Sequence, residues 1–443
     1  MATHRDTSAH QATRIDDIHG RFDPWLAGII VAIATLGVIM VASSSIAVGE
    51  DMSVGRYYFL TRHFMFLALG IGLAAAVMRT ELKTIEKYDR FVLLMCAGLL
   101  LLVFVPGLGV SVNGAHRWIN LGISNFQVVE AVKVIYIVWL SSYLVRFRDE
   151  VNATWGAMLK PIGVAVVLVA LLLLQPDFGS SMLLLGVTAG MLVLGGGHLK
   201  RMLVPILLLL PAVVLVAIIE PYRLRRITSF MDPWEDQLGA GYQLSNALMA
   251  VGRGELTGVG LGASVQKLSY LPEAHTDFIF SVLAEELGFV GVCLVVALFS
   301  ALVGRALWIG LKCVEMRRHF AGYCAFGVAL MIGMQSLVSI GVNLGLLPTK
   351  GLTLPLVSSG GSSVMMTCVA LGLLLRVSYE LDRAQRQVAR LRGETASPAP
   401  APAPASTPIT QPPLPVAPAP APVRGTSRLR QRVEPRFGAG SPA

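Results

Sequence analysis

Ten separate apolar runs dominate this chain, and they leave it few folds to choose from. They cover about 24–48, 58–78, 91–105, 127–145, 161–174, 180–195, 203–219, 277–310, 321–347 and 362–378. About 20 helical residues cross a ~30 Å hydrocarbon core. Inside that core every backbone N–H and C=O needs a partner within the protein, so spanning segments are helices or closed barrels. Runs of this length, without strict alternation, select helices. With 54% hydrophobic and 14% charged residues in 443, no ordinary soluble domain could hide so much apolar surface. The expected fold is an all-α polytopic membrane protein of about ten transmembrane helices. Blocks three, five and six are short, so their ends should extend into the flanking loops.

Charge sets the expected orientation. With the N-terminus inside, the inner segments hold fifteen Lys/Arg and the short outer loops three. That asymmetry predicts two cytoplasmic termini and an extracytoplasmic loop, 220–276, between helices seven and eight. The net charge of +9 lies between the apolar blocks and calls for no nucleic-acid partner. The five cysteines lack a CxxC spacing, which argues against a disulfide framework or a zinc site. Residues 1–23 read as a cytoplasmic tail without a cleavable signal, 24–378 as the membrane domain, and 379–443 as a cytoplasmic tail. Within that tail, 379–394 reads as a short amphipathic helix on the inner surface, and 397–422, rich in Pro and Ala, as a disordered linker. The last 20 residues carry five arginines and read as a solvated tail, with membrane lipids or a protein partner as the alternative.

Polar residues concentrate in the outer loops. Residues 269–290 read SYLPEAHTDFIFSVLAEELGFV: His275 and Asp277 end a polar loop, and the helix that follows carries Glu285 and Glu286. Carboxylates at membrane helices are disfavoured by roughly 2.5–3.5 kcal/mol and usually have a task. Loop 106–126 offers Arg117 and Trp118, where an interfacial aromatic is the plainer explanation. Glu130 and Lys133 stand i, i+3 and can pair on one helix face. Asp177, in the turn QPDFG, could cap the sixth helix. Loop 347–364, LPTKGLTLPLVSSGGSSV, places non-helical backbone, Lys350 and Ser362 at membrane depth, which is tolerated only inside protein or beside a wet cavity.

Six stretches in order resemble the SEDS family (shape, elongation, division and sporulation proteins): GAHRWINLG (114–122), QVVEAVK (127–133), QPDFG (175–179), GYQLSNALMAVGRGELTGVGLG (241–262), YLPEAHTDFIFSVLAEELG (270–288) and NLGLLPTKGLTLPLVSSGGSS (343–363). The resemblance covers about 24–378 and is closest to the division members of the family. It implies a peptidoglycan glycosyltransferase that polymerises lipid II, a disaccharide-pentapeptide on a polyprenyl pyrophosphate, in septal wall synthesis. It makes Asp277 the catalytic acid-base residue and assigns Trp118, Glu130 and Lys133 to the site. Arg117, His275, Lys350 and Ser362 join them as candidate substrate contacts. Val128 and Val129 stand where the family has Pro and Ser, and Ser359 where it has Tyr, so that Tyr's contact is missing.

In the implied reaction a sugar hydroxyl attacks the anomeric carbon of the other chain, and polyprenyl pyrophosphate leaves. A carboxylate base helps the attack. The leaving group needs positive charge, from Arg117, Lys350, Arg253 or Lys267, or from a divalent cation such as Mg2+ or Mn2+. The resemblance also implies a class B penicillin-binding protein transpeptidase as partner, other divisome proteins, and a place in the bacterial inner membrane at the septum. The alternatives are a lipid II flippase, an elongation-type polymerase, and a scaffold whose tails recruit division proteins.

Overall fold

The computed structural model describes residues 19–51, 55–112, 115–120, 122, 124–197, 221–268, 270–349 and 351–391, with a few positions between 201 and 211. Its elements run α1 (Pro24–Asp51), α2 (Tyr58–Arg79), α3 (Leu82–Lys87), α4 (Asp89–Leu102), β1 (Gly109–Val112), β2 (Ala115–Asn120), β3 (Asn125–Gln127) and α5 (Val128–Arg146). They continue with α6 (Arg148–Ala153), α7 (Trp155–Leu174), α8 (Phe178–Leu194), α9 (Pro221–Met231), α10 (Tyr242–Arg253), α11 (Ile279–Glu315), α12 (His319–Asn343) and α13 (Gly361–Leu391).

Among the described residues, seven helices are long and apolar enough to cross a membrane: α1, α2, α5, α7, α11, α12 and α13. The shorter apolar helices α4 and α8 account for two more of the expected blocks. Block seven, 203–219, falls largely outside the described residues, as do most of the N-terminal tail, Lys350 and everything from 392 onward. The chain is a mostly helical polytopic membrane protein. The fifth block gains a full turn and more at its start, where Thr154 caps α7 by accepting from the Ala157 N–H.

α5 stands in the middle, buried along nearly its whole length. Where helices meet closely, small residues make it possible. A Cβ on Gly372 of α13 would lie 2.8 Å from Ala74 Cα of α2, and one on Gly70 3.0 Å from Met365 Cα. Such contacts substitute for the hydrophobic drive that lipid does not supply.

The structure departs from the sequence-based expectation in two places. Loop 106–126 is not wholly irregular: β1, β2 and β3 form a three-stranded antiparallel sheet, with Val110 opposite Trp118 and Trp118 opposite Gln127. The dipeptide Asn113-Gly114, between the paired Val112 and Ala115, is a strong hairpin signal. The second departure is at the C-terminal end of the fold. There is no separate surface helix at 379–394: α13 runs unbroken to Leu391, through the i, i+4 pairs Arg376–Glu380 and Arg386–Asp382.

The eighth block is broken. At Gly288 the backbone turns to φ 64, ψ −163. Segment 255–260 bonds into the break: Val259 N–H to the Glu285 carbonyl, Gly260 N–H to Glu286, and Phe289 and Val290 N–H to Glu255 and Leu256. A Cβ on Gly288 would sit 2.3 Å from Gly258 N, so only glycine fits. The two acids before the break are buried and paired. Glu285 accepts from Arg253 (3.1 Å), Ser264 and the Val265 N–H. Glu286 takes Lys267 at 2.7 Å and Ser43 of α1 at 2.7 Å. Arg253 and Lys267, expected as phosphate contacts, are therefore occupied in neutralising a helix break.

Removing one partner of a buried pair leaves a charge unmatched, at a cost of about 3–5 kcal/mol. Lys267→Met is expected to lower the melting temperature by several degrees in detergent, and Lys267→Met with Glu286→Met to recover most of it. A single variant that melts like the wild type would refute the clamp.

Candidate active site

A cavity of about 1110 Å³ opens among loops and the ends of the helices beside them. Six pieces of chain build its wall. α2 contributes one face, Phe59, Arg62, His63 and Phe66, at i, i+3, i+4 and i+7. The sheet contributes Arg117, Trp118, Asn125 and Gln127. The turn before α8 brings Asp177, and α9 brings Arg226. The loops 273–278 and 348–363 close the remaining side with Glu273, His275, Asp277 and Ser362.

Asp277 is held from two directions by main chain. Its carbonyl accepts from Asn343 Nδ2 at 2.9 Å, and two residues back the His275 carbonyl accepts from the Ser359 N–H at 2.9 Å. A Cβ on Gly351 would lie 3.0 Å from Asp277 Oδ2, so that glycine lets the facing loop come up to the carboxylate. The carboxyl does not cap α11. Phe278 is the N-cap, and the Ser281 N–H is satisfied by Asn343 Oδ1 at 3.0 Å. Burial raises the Asp277 pKa to about 7, with the Glu273 carboxylate adding to the effect and Arg226 and Arg117 opposing it. A carboxyl that titrates near neutrality can take a proton at working pH, which an ordinary solvated Asp does poorly.

His275 is a second residue of the same loop in the cavity wall. Its ring lies 4.6 Å from that of Phe59, Nδ1 has no partner among the described residues, and burial lowers its pKa. It lines the cavity as a neutral ring. Arg117 donates to the carbonyls of Gln175 and Pro176, which ties the sheet to the turn before α8. Asp177 caps α8 by accepting from the Ser180 N–H at 3.2 Å, and its second oxygen has no hydrogen-bond partner among the described residues. Ser362 Oγ accepts from the Gln127 N–H at 2.9 Å, joining β3 to the start of α13.

Glu130 and Lys133 do not line the cavity. They pair at 2.8 Å in the buried middle of the bundle. Lys133 also donates to Gln335 Oε1 at 2.9 Å, Gln335 Nε2 to the Thr353 carbonyl at 2.9 Å, and the Thr353 hydroxyl to Ser363 at 2.8 Å. The pair thus braces the loop that forms one cavity wall, through Gln335. Lys350 lies outside the described residues.

Two arginines were not anticipated. Arg62 sits one turn inside an apolar block, where a charge is itself a signal; it donates to Ser124 at 2.7 Å and to Tyr58. Arg226 lies in the amphipathic PYRLRRITSFM and donates to the Thr349 carbonyl at 3.2 Å. With Arg117 they place three cations in the wall. Among the described residues no group of three or more His, Cys, Asp and Glu is arranged to hold a metal ion.

The profile of the FtsW/RodA/SpoVE family, described as cell cycle protein, matches residues 24–383. A probable peptidoglycan glycosyltransferase FtsW from Xanthomonas oryzae pv. oryzae is 65% identical, over 97% of this chain and 93% of its own length. Its counterpart from Halorhodospira halophila is 48% identical, over 83% and 93%. Among solved structures, one described as "Structural coordination of polymerization and crosslinking by a peptidoglycan synthase complex" is 30% identical, with a TM-score of 0.67, over 81% of this chain and 98% of that one. The rod shape determining protein RodA of Thermus thermophilus is 28% identical, with a TM-score of 0.59, over 81% and 96%.

The brace beneath the cavity generates a prediction. Glu130→Ala leaves Lys133 buried with only an amide acceptor, and is expected to cost about 3–5 kcal/mol in thermal or denaturant unfolding. Glu130→Gln, which keeps an acceptor, should cost less. Wild-type stability for the alanine variant would show the pair to be incidental.

Proposed function

The chain belongs to the FtsW/RodA/SpoVE (SEDS) family and is a peptidoglycan glycosyltransferase involved in cell division; we propose that it polymerises lipid II with Asp277 as general base. One observation carries this reading. A carboxyl that titrates near neutrality shares a cavity wall with three arginines. The acceptor hydroxyl gives its proton to Asp277 as its oxygen bonds to the anomeric carbon of the donor. The bond from that carbon to the pyrophosphate oxygen breaks, and its electron pair leaves with the polyprenyl pyrophosphate. Arg117, Arg226 and Arg62 stabilise the departing charge. Trp118 and Ser362 shape the wall against which the sugars lie. A transport reading would draw on the charges inside the bundle, but Glu130, Lys133, Glu285 and Glu286 are matched within the protein and do not line the cavity.

We further propose an inner-membrane location at the septum with both termini cytoplasmic, as the charge asymmetry supports. A class B penicillin-binding protein is the proposed partner. Its docking surface is the outer loop, where Met231 and Leu238 are 82% and 92% exposed beside Trp234.

The base must be ionised to act, and its pKa is raised to about 7. Polymerisation of labelled lipid II should therefore rise with pH through about 7 and level off above it. Asp277→Asn should reduce it by about 10²-fold or more and abolish that rise, while the protein still folds. Near-normal glycan synthesis by the Asn variant would end the assignment. For the partner, Leu238→Glu with Trp234→Glu is expected to remove stimulation by the transpeptidase and to spare basal synthesis. Unchanged stimulation would place the contact elsewhere.

A further inference from the structure

His63 lies in α2, a helix whose other polar cavity residue, Arg62, is hydrogen bonded within the protein. His63 is not. Its side chain is 3% exposed, it lines the cavity, and neither Nδ1 nor Nε2 has a hydrogen-bond partner among the described residues. A buried polar group without a partner is costly, and in a native fold it calls for an explanation. Packing does not supply one, since Leu or Phe would fill the same volume without the unsatisfied nitrogens.

We infer that His63 is a substrate-binding residue that hydrogen bonds the hydroxyl or acetamido groups of the lipid II disaccharide. The inference rests on the reading of the cavity as the polymerase site. The ring is buried with no carboxylate partner among the described residues, so a charged imidazolium would stand unpaired there. A neutral imidazole offers one donor and one acceptor. That pairing suits a hydroxyl or an amide, each of which donates and accepts. A pyrophosphate needs cations, and three arginines already line the wall. Phe59 and Phe66 flank His63 on the same face and give the apolar sides of a sugar ring a surface to lie on.

The test uses the purified full chain and labelled lipid II, with His63→Phe, His63→Gln and His63→Ala. His63→Phe should raise KM about tenfold, with kcat within about twofold, because one substrate group is left unpaired. His63→Gln, which keeps a donor and an acceptor, should restore most of the affinity. The melting temperature of His63→Phe should equal or exceed that of wild type. If Phe does not fold, Ala, which only enlarges the cavity, gives the same KM reading. The KM effect should persist with a disaccharide substrate that lacks the stem peptide. An unchanged KM in the Phe or Ala variant overturns the inference. So does loss of the effect on the peptide-free substrate, which would assign the ring to the peptide. If Gln fails to rescue, and inhibition by free polyprenyl pyrophosphate weakens in parallel, the ring is a phosphate contact and the inference also fails. Absence of glycan product from the wild-type chain would instead count against the polymerase reading itself.

Discussion

Two adjacent carboxylates buried at a helix break tie three segments of this protein together. Glu285 and Glu286 would be unmatched charges in the bundle alone, and their partners Arg253 and Lys267 both come from the segment that leads to Asp277. The N–H groups of Val259 and Gly260 take up the carbonyls that the break at Gly288 frees. Because each side lacks partners without the other, the segment and the helix are expected to form as one unit. Ser43 extends the unit to α1. Asp277 therefore hangs from a rigid anchor a few residues away, in spite of lying in a loop.

Much of this was legible in the sequence, because a polar residue in an apolar block has few reasons to be there. Asp277, Glu130 and Lys133 stood out on that ground, and nine of the ten blocks are helices among the described residues. The roles were less legible than the positions. Arg253 and Lys267 read as free cations because their partners follow them by 19 residues or more and meet them only through the fold. Arg62 is hard to single out because the block around it is otherwise apolar, and Arg226 because two other arginines, Arg223 and Arg225, precede it. The sheet was missed although Asn113-Gly114 announced a hairpin, since three short strands carry little periodicity.

The cavity wall mixes charged and uncharged groups. Arg117, Arg226 and Glu273 act on the Asp277 carboxyl, the acid raising its proton affinity and the two arginines opposing it. Arg62, His63, Gln127, Ser362 and Ser363 add further polar groups to the same wall. Because burial and Glu273 outweigh the two arginines, the carboxyl is more basic than that of a solvated Asp.

The replacement of the family's Tyr by Ser359 shows how such a site tolerates change. The sequence predicts a lost contact at that position. The structure shows that the bond fixing the loop there comes from the Ser359 backbone N–H to the His275 carbonyl. Any residue but proline supplies that donor. Asp277 is likewise held through its own carbonyl, leaving the carboxyl to be tuned by its surroundings. Placing the Asp277 loop through main-chain groups frees the neighbouring side chains to vary, while burial beside Glu273 raises the carboxyl's proton affinity. Position and basicity therefore depend on different atoms, so a substitution can alter one and spare the other.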